Sequence, residues 1–223
     1  MRFAALATDY DGTLARDGVV DGGTIAAIRR FRASGRKLIL VTGRQVPDLE
    51  RVFPAVRLFD AVAAENGGVL WLPPSGAETP LAPPPAPALV AALRGAGVAP
   101  LDFGRVIIAS NASAAAAIGR VLEQTRAAYR IILNRESLML LPEGVDKATG
   151  FRAAARALDL APAAVAGIGD AENDEAFLAE CGLFAVVANA IEPLRERAGF
   201  VARSGWGAGV TELIDRILRE STR

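Results

Sequence analysis

Short apolar segments alternate with amphipathic helical stretches along most of this 223-residue chain, and that rhythm points to a parallel α/β sheet covered by helices. Phe3 to Thr8 reads as a first strand. Thr24 is placed to cap a helix in which Ile25, Ile28 and Phe31 fall on one face, and Gly35 ends it. Lys37 to Val41 reads as a second, buried strand. Pro47 suits the first turn of the next helix, and Asp60 to Ala64 reads as a third strand. Glu65-Asn66-Gly67-Gly68 is a turn signal from which Val69 to Leu72 can return as a hairpin.

The rhythm then breaks. Pro73 to Pro87 holds seven prolines in fifteen residues, which reads as a stiff linker without regular structure. Beyond it the pattern predicts a helix near Ala88 to Gly95, a strand at Val106 to Ser110 and an Ala-rich helix from Asn111 to Ala128. Strands at Arg130 to Asn134 and Leu138 to Leu141 complete a small α+β unit. From Lys147 the first rhythm resumes. It predicts a helix to Leu158, a strand at Val165 to Ile168, a helix from Asn173, a strand at Phe184 to Val187, a short helix near Pro193 and a last helix over Val210 to Arg219. The chain therefore divides into a core of residues 1–82 and 145–223 and an insert of residues 83–144.

Composition removes several kinds of function. The 25 basic and 25 acidic residues cancel, and no basic block invites nucleic acid. Histidine is absent, so acid–base work falls to carboxylates, Lys, Tyr or the single thiol of Cys181. One cysteine allows no internal disulfide, which suits a reducing compartment. The apolar start, Phe3 to Ala7, is too short for a signal peptide, and no run reaches the ~18 apolar residues that a membrane span needs. The expectation is a cytoplasmic protein with no nucleic-acid or membrane partner, monomeric or homodimeric.

The chemistry-bearing residues fall at the ends of the expected strands, where parallel sheets gather their ligands. Asp9-Tyr10-Asp11-Gly12-Thr13 follows the first strand and Thr42-Gly43-Arg44 the second. Gly169-Asp170-Ala171-Glu172-Asn173-Asp174 follows the strand ending at Ile168, and Lys147 opens the helix after the insert. Carboxylates suit a hard cation such as Mg²⁺, while a hydroxyl and an ammonium offset phosphate oxygens, so the set points to phosphoryl transfer. Calcium loops fail as an alternative. An EF-hand starting at Asp170 would place Glu175 where Gly is needed and Cys181 where Glu is needed, and one starting at Asp9 would end on Val20.

In this order and spacing, Asp9-x-Asp11-Gly12-Thr13, Thr42-Gly43-Arg44, Lys147 and Gly169-Asp170-x-x-Asn173-Asp174 resemble the four motifs of the haloacid dehalogenase-like (HAD) hydrolases. The position of the insert is similar to the type II cap of the Cof-type and sucrose-phosphate phosphatase-like subgroup, and Glu65-Asn66-Gly67 resembles an Asn-Gly segment of that subgroup. Length and compact insert are similar to phosphoglycolate phosphatases. The resemblance implies a Rossmann-like α/β core with a small α+β cap, and a Mg²⁺-dependent phosphatase acting on a small phosphate ester, of phosphoglycolate or sugar-phosphate type. It implies Asp9 as the nucleophile forming an aspartyl-phosphate and Asp11 as general acid and then base. Thr42 and Lys147 would bind and neutralise the phosphoryl group, with Gly43, Arg44 and Asn173 as further phosphate or substrate contacts. Asp9, the Asp11 carbonyl, Asp170 and Asp174 would hold Mg²⁺.

Taken singly, several of these residues have plainer readings. Lys147 reads as a solvated helix-start lysine, Thr42 as a capping hydroxyl, Asp174 as a first-turn acid on the helix dipole, and Arg44 as a structural ion pair. Asn134, Arg135 and Glu136 are candidates to reach the substrate's distal end. A phosphomutase would share the same nucleophile, and a non-catalytic phospho-acceptor or binding protein is the alternative from another class.

Overall fold

The computed structural model describes residues 3–134 and 137–220. The core runs β1 (Ala5–Asp9), α1 (Gly22–Ala33), β2 (Lys37–Val41), α2 (Val46–Val52), β3 (Ala61–Ala64), β4 (Val69–Leu72) and β5 (Ala77–Pro80). Next come α3 (Pro87–Gly95), β6 (Asp102–Phe103), β7 (Ile108–Asn111), α4 (Ala115–Thr125), β8 (Tyr129–Asn134) and β9 (Ser137–Pro142). The chain closes with α5 (Lys147–Ala157), β10 (Val165–Gly169), α6 (Glu175–Leu178), β11 (Leu183–Val186), α7 (Glu192–Arg197), β12 (Phe200–Val201) and α8 (Trp206–Glu220).

Eight strands form one sheet in the order β12-β11-β10-β1-β2-β3-β4-β5. The six from β12 to β3 are parallel, and β4 and β5 fold back antiparallel at one edge. Strands β1, β2 and β3 carry runs such as Leu38-Ile39-Leu40-Val41 that are buried throughout, as expected for strands covered on both faces. Helix α1 packs on α8, and α5 packs on β2, β3 and α6. Strand β1 is the switch point: β2 and β3 lie to one side of it, β10 and β11 to the other. Register places Asp9 beside Val41 and Thr8 beside Ile168, so the loops after β1, β2 and β10 leave the sheet at one rim.

A second, four-stranded antiparallel sheet has the order β6-β7-β9-β8. Alternation along its strands separates two faces. Ile108, Leu138 and Leu140 pack with Leu89, Leu93, Ile118 and Val121 of α3 and α4, while Ile107, Met139 and Leu141 face the other way with Ile132 and Val145. Among the described residues no helix is long and apolar enough to cross a membrane.

The structure departs from the sequence expectation in a few places. The proline-rich stretch is not wholly irregular: Ala77–Pro80 adds an exposed edge strand to β4, and Pro80 is tolerated there because an edge strand leaves one row of backbone groups unpaired. Helix α1 is capped by Asp21, not Thr24. The Asp21 carboxylate accepts from the Thr24 backbone N–H at 2.9 Å and from its hydroxyl at 2.6 Å. The Ala-rich helix is shorter than its pattern, starting only at Ala115 and stopping where Arg126 turns left-handed at φ 50°. The last helix starts four residues early, at Trp206, because Gly207 lets it press onto Thr24; a Cβ there would lie 2.3 Å from the Thr24 hydroxyl.

Candidate active site

Asp9 ends β1 and Lys147 opens α5, and both are 3% exposed. The Lys147 ammonium donates to Asp9 Oδ1 at 2.6 Å and to Asp174 Oδ1 at 2.6 Å, with Asp174 fully buried. Asp174 is itself fixed from its second oxygen, which accepts the backbone N–H groups of Asp170 at 2.9 Å and Ala171 at 3.0 Å. Helix α5 is held in place by Asp146, whose carboxylate caps it through Thr149 N–H at 2.8 Å. Lys147 is thus delivered into the rim by a capped helix, and the solvated reading of it does not hold.

Asp170 completes the cluster. Its Oδ1 accepts from the Thr13 hydroxyl at 2.6 Å, and its other oxygen lies against Gly12, where a Cβ would come within 2.3 Å. Gly12 sits at φ +91°, so the tight turn and the close approach both require glycine. Carboxylate oxygens of Asp9, Asp170 and Asp174 lie within 4.8 Å of one another. Three acids share one ammonium, and the pKa shifts report the imbalance. Asp9 is pushed well above the usual carboxylate range, first by burial and then by Asp174, against the pull of Lys147. Asp170 is pushed up to about 6 by burial and Asp174. The Lys147 ammonium is held charged by Asp174 and Asp9 despite the opposing effect of burial.

Asp9 Oδ2 is buried and has no hydrogen-bond partner. A buried charged oxygen without a donor is costly, and a cation satisfies it. Hard oxygen donors, excess negative charge and an open oxygen together fit a divalent cation of the Mg²⁺ type. Both oxygens of Asp174 already accept from protein donors, which suits an orienting role beside Asp9 and Asp170.

Asp11 stands further out. Arg44 grips it with two parallel hydrogen bonds, Nε to Oδ2 at 2.8 Å and a terminal nitrogen to Oδ1 at 2.7 Å. The same guanidinium reaches Asp48 at 2.7 Å and lies 5.2 Å from the Tyr10 ring centroid. Its hydrogen bonds to Asp11 raise its already high pKa further. Thr42 is fully buried at the end of β2, its hydroxyl accepting from Arg44 N–H at 3.1 Å. Gly43 follows it against Asn66, where a Cβ would lie 3.2 Å from the Asn66 amide nitrogen. Asn173 donates to Asn66 Oδ1 at 3.3 Å, and Asn66 in turn donates to the Met139 sulfur at 3.0 Å. Between the two sheets opens a cavity of about 1480 Å³. The core lines it with Asp9, Asp11, Arg44, Lys147 and Asp170, and the second sheet with Ile107, Ala109, Ile132 and Met139.

The sequence profile of the haloacid dehalogenase-like hydrolases matches residues 6–78 and 106–214. The chain belongs to that family. A phosphoglycolate phosphatase of Natronomonas pharaonis is 30% identical over 222 residues, covering 96% of this chain and 97% of that protein. A phosphoglycolate phosphatase of Aeropyrum pernix is 30% identical over 229 residues, covering 98% and 94%. Among solved structures, a haloacid dehalogenase-like hydrolase from Bacteroides thetaiotaomicron superposes with a TM-score of 0.83 at 18% identity, over 96% of this chain and 99% of that one. At that identity the likeness speaks for the fold, a Rossmann-like α/β core.

Within this HAD-like hydrolase, the sequence motifs converge: Asp9, Asp11, Thr42, Gly43, Arg44, Lys147, Asp170, Asn173 and Asp174 surround one rim. Arg135 and Glu136 lie outside the described residues, as does the side chain of Asn134. The sequence reading missed Thr13 as the donor to Asp170, Asn66 as the bridge to Asn173, and Glu65, whose carboxylate takes three hydrogen bonds from the second sheet's approach. The i,i+4 spacing of Arg44 and Asp48 was available as a signal that Arg44 is tied down.

Proposed function

We propose that this HAD-like hydrolase is a Mg²⁺-dependent phosphatase that cleaves a small phosphate ester, of phosphoglycolate or sugar-phosphate type, through an aspartyl-phosphate on Asp9. The observation that carries the reading is Asp9 itself: a buried carboxylate at the switch-point strand, gripped by Lys147 on one oxygen and open on the other. The names of the full-length relatives support the substrate class.

The Asp9 carboxylate attacks phosphorus, and the bond to the leaving oxygen breaks as that oxygen takes a proton from Asp11. Asp11 then takes a proton from water, the resulting hydroxide attacks phosphorus, and the Asp9–phosphate bond breaks to release phosphate. Lys147 offsets charge on Asp9 and on the phosphoryl oxygens. The Thr42 hydroxyl and the Gly43 backbone hold the phosphoryl group, and Asn173 positions it together with Asn66. Arg44, committed to Asp11 and Asp48, holds Asp11 as the carboxylate that accepts the proton from water in the second step; proton donation in the first step requires Asp11 to be protonated and free of Arg44. Asp9, the Asp11 carbonyl and Asp170 would hold Mg²⁺, with Asp174 orienting them, and the ion would supply charge stabilisation to the transferring group. Residues 83–144 would form a cap that closes over the core of residues 1–82 and 145–223, excluding water and selecting the leaving group. A charge-balanced chain with one cysteine supports a cytoplasmic setting.

The test is release of inorganic phosphate from phosphoglycolate and from an aryl phosphate, with Mg²⁺ and with EDTA. Release requiring Mg²⁺, and falling at least about a thousandfold in Asp9→Asn, is the expected result. Turnover that survives Asp9→Asn, or no release across a panel of phosphate esters, would remove the assignment.

A further inference from the structure

The mechanism leaves one buried carboxylate unused. Glu65 is 2% exposed, and its oxygens turn toward the second sheet. Oε1 accepts from Arg105 N–H at 2.9 Å; Oε2 accepts from Val106 N–H at 2.9 Å and Ile107 N–H at 3.1 Å. The Arg105 side chain goes elsewhere, to Glu78 at 3.1 Å, so the Glu65 charge rests on three consecutive backbone amides. A carboxylate accepting from three N–H groups is tied more firmly than a side chain with a single bond, so the contact is a clamp rather than a passing approach. The fit is close on both sides: a Cβ on Gly104 would lie 2.5 Å from Oε2.

The turn that carries Glu65 is fixed equally firmly to the rim. Glu65, Asn66 and Gly67 have φ of 53°, 51° and 92°, three successive left-handed residues. That conformation is unfavourable for the first two and persists only where surroundings impose it. Glu65 N–H donates to the Arg44 carbonyl at 3.0 Å and Asn66 N–H to the Thr42 carbonyl at 2.9 Å. At Gly67 a Cβ would come within 1.8 Å of the carbonyl of Asp146, the residue before Lys147. One turn therefore touches the Thr42–Arg44 loop, the approach to Lys147 and the strand entry at 104–107. That entry leads directly to Ile107 and Ala109, which line the same cavity as Asp9.

We propose that Glu65 is a positioning residue: by clamping the amides of residues 105–107 to the phosphate-side turn, it fixes the angle of the second sheet over the site and so determines which leaving groups are accepted. The effect on leaving groups rests on the phosphatase reading; the clamp does not. Glu65→Gln keeps the size of the side chain but presents an NH₂ group to an amide donor, which breaks part of the clamp.

The experiment joins two measurements on the full chain. Hydrogen exchange is followed at the amides of 105–107 and, as an internal reference, at Leu38–Val41 of β2. Phosphate release is followed with phosphoglycolate and with a small aryl phosphate. In Glu65→Gln, exchange at 105–107 is expected to speed up at least about tenfold while β2 holds within about twofold. The ratio of kcat/KM for the two esters is expected to shift at least about fivefold, with kcat on the aryl ester changing less than about twofold. Exchange rising equally in β2, or not rising at 105–107, would overturn the clamp. A selective rise in exchange with both esters scaled alike would overturn the positioning role and leave a merely structural one. If Glu65→Gln does not fold, Gly104→Ala strains the same contact from the other side and is held to the same criteria. Should the wild type release phosphate from neither ester nor from any of a panel of phosphate esters, the phosphatase reading falls, while the exchange comparison still decides the clamp.

Discussion

Replacing Asp9 with Asn is expected to destroy turnover and at the same time raise the melting temperature of the metal-free protein. The magnitude follows from the cluster. Oxygens of Asp170 and Asp174 lie within 4.8 Å of an Asp9 oxygen, which at an effective dielectric near ~20 costs at least about 3 kcal/mol for each pair. The Lys147 contact at 2.6 Å returns about 6 kcal/mol on the same scale. These terms nearly cancel, so the desolvation of the carboxylate, several kcal/mol for a buried ion, is left uncompensated. Asn removes that charge and keeps an oxygen for Lys147, at the cost of a buried NH₂ group worth about 1–3 kcal/mol unsatisfied. A net gain of about 2 kcal/mol remains, or roughly 4–8 °C for a chain of this length.

The assay is scanning calorimetry of both proteins in EDTA and then across a Mg²⁺ titration. In EDTA the variant should melt higher. As Mg²⁺ rises to about a hundredfold over its Kd, the wild type should gain about 2.7 kcal/mol and the variant less, closing or reversing the gap. A variant that melts below the wild type in EDTA would show that the Lys147 pair outweighs the burial of Asp9. The electrostatic argument for a cation at this site would then fail.

Three further outcomes follow from the same geometry. Lys147→Met leaves Asp9 and Asp174 buried without their shared ammonium, so stability should drop by about 3–5 kcal/mol, seen as a fall of roughly 10 °C in melting temperature; an unchanged midpoint would refute the pairing. Asp170, raised from 3.8 to about 6, binds its proton more tightly folded than unfolded. Its contribution to metal-free stability is therefore full below pH 3.8 and declines as pH rises through about 6, by about 2–3 kcal/mol in all. Because Mg²⁺ must displace that proton, titration calorimetry should show tighter Mg²⁺ binding at about pH 7 than at about pH 5, and equal affinity would contradict the ligand role. Gly12→Ala puts a Cβ 2.3 Å from Asp170 Oδ2 at φ +91°, so the Mg²⁺-dependent rise in melting temperature should vanish; a retained rise would mean that Asp170 does not bind the ion.

Much of this architecture could be read from the chain because its local signals agree with its tertiary needs. Strands β1, β2 and β10 are continuous apolar runs, and each ends in a polar turn that the parallel register then brings to one rim. Asp9, Lys147 and Asp170 were legible for that reason: a strand end or a helix start fixes where a side chain emerges. The short strands were not. Phe200–Val201 and Asp102–Phe103 are two residues each, and their pairing is decided by the strand beside them rather than by any pattern of their own. Strand β5 was hidden by its prolines, which exclude an inner strand but not an edge. The commitment of Arg44 was also out of reach as a certainty, since its partner Asp11 lies 33 residues away in sequence.

The buried acids show why the site itself was harder to assign than the fold. Asp60, Glu65 and Asp9 are all carboxylates at the border of the same sheet, and sequence alone does not separate them. Hydrogen bonding does. Asp60 accepts from Leu38 N–H at 2.9 Å and from Lys37 at 3.2 Å, and Glu65 accepts from three amides, so each is satisfied within the chain and calls for no cation. Asp9 has one oxygen held and one left open. Among the described residues, that Oδ2 is the one buried side-chain oxygen or nitrogen without a partner. Evolution removes such orphans from cores because they destabilise the fold. Where one persists, beside two further acids and a single ammonium, its cost is offset by something the chain binds. On the proposed function, the unsatisfied Asp9 oxygen that weakens the metal-free protein is what would equip the site to take a cation, and the calorimetric comparison of Asp9→Asn measures both sides of that conflict in one variant.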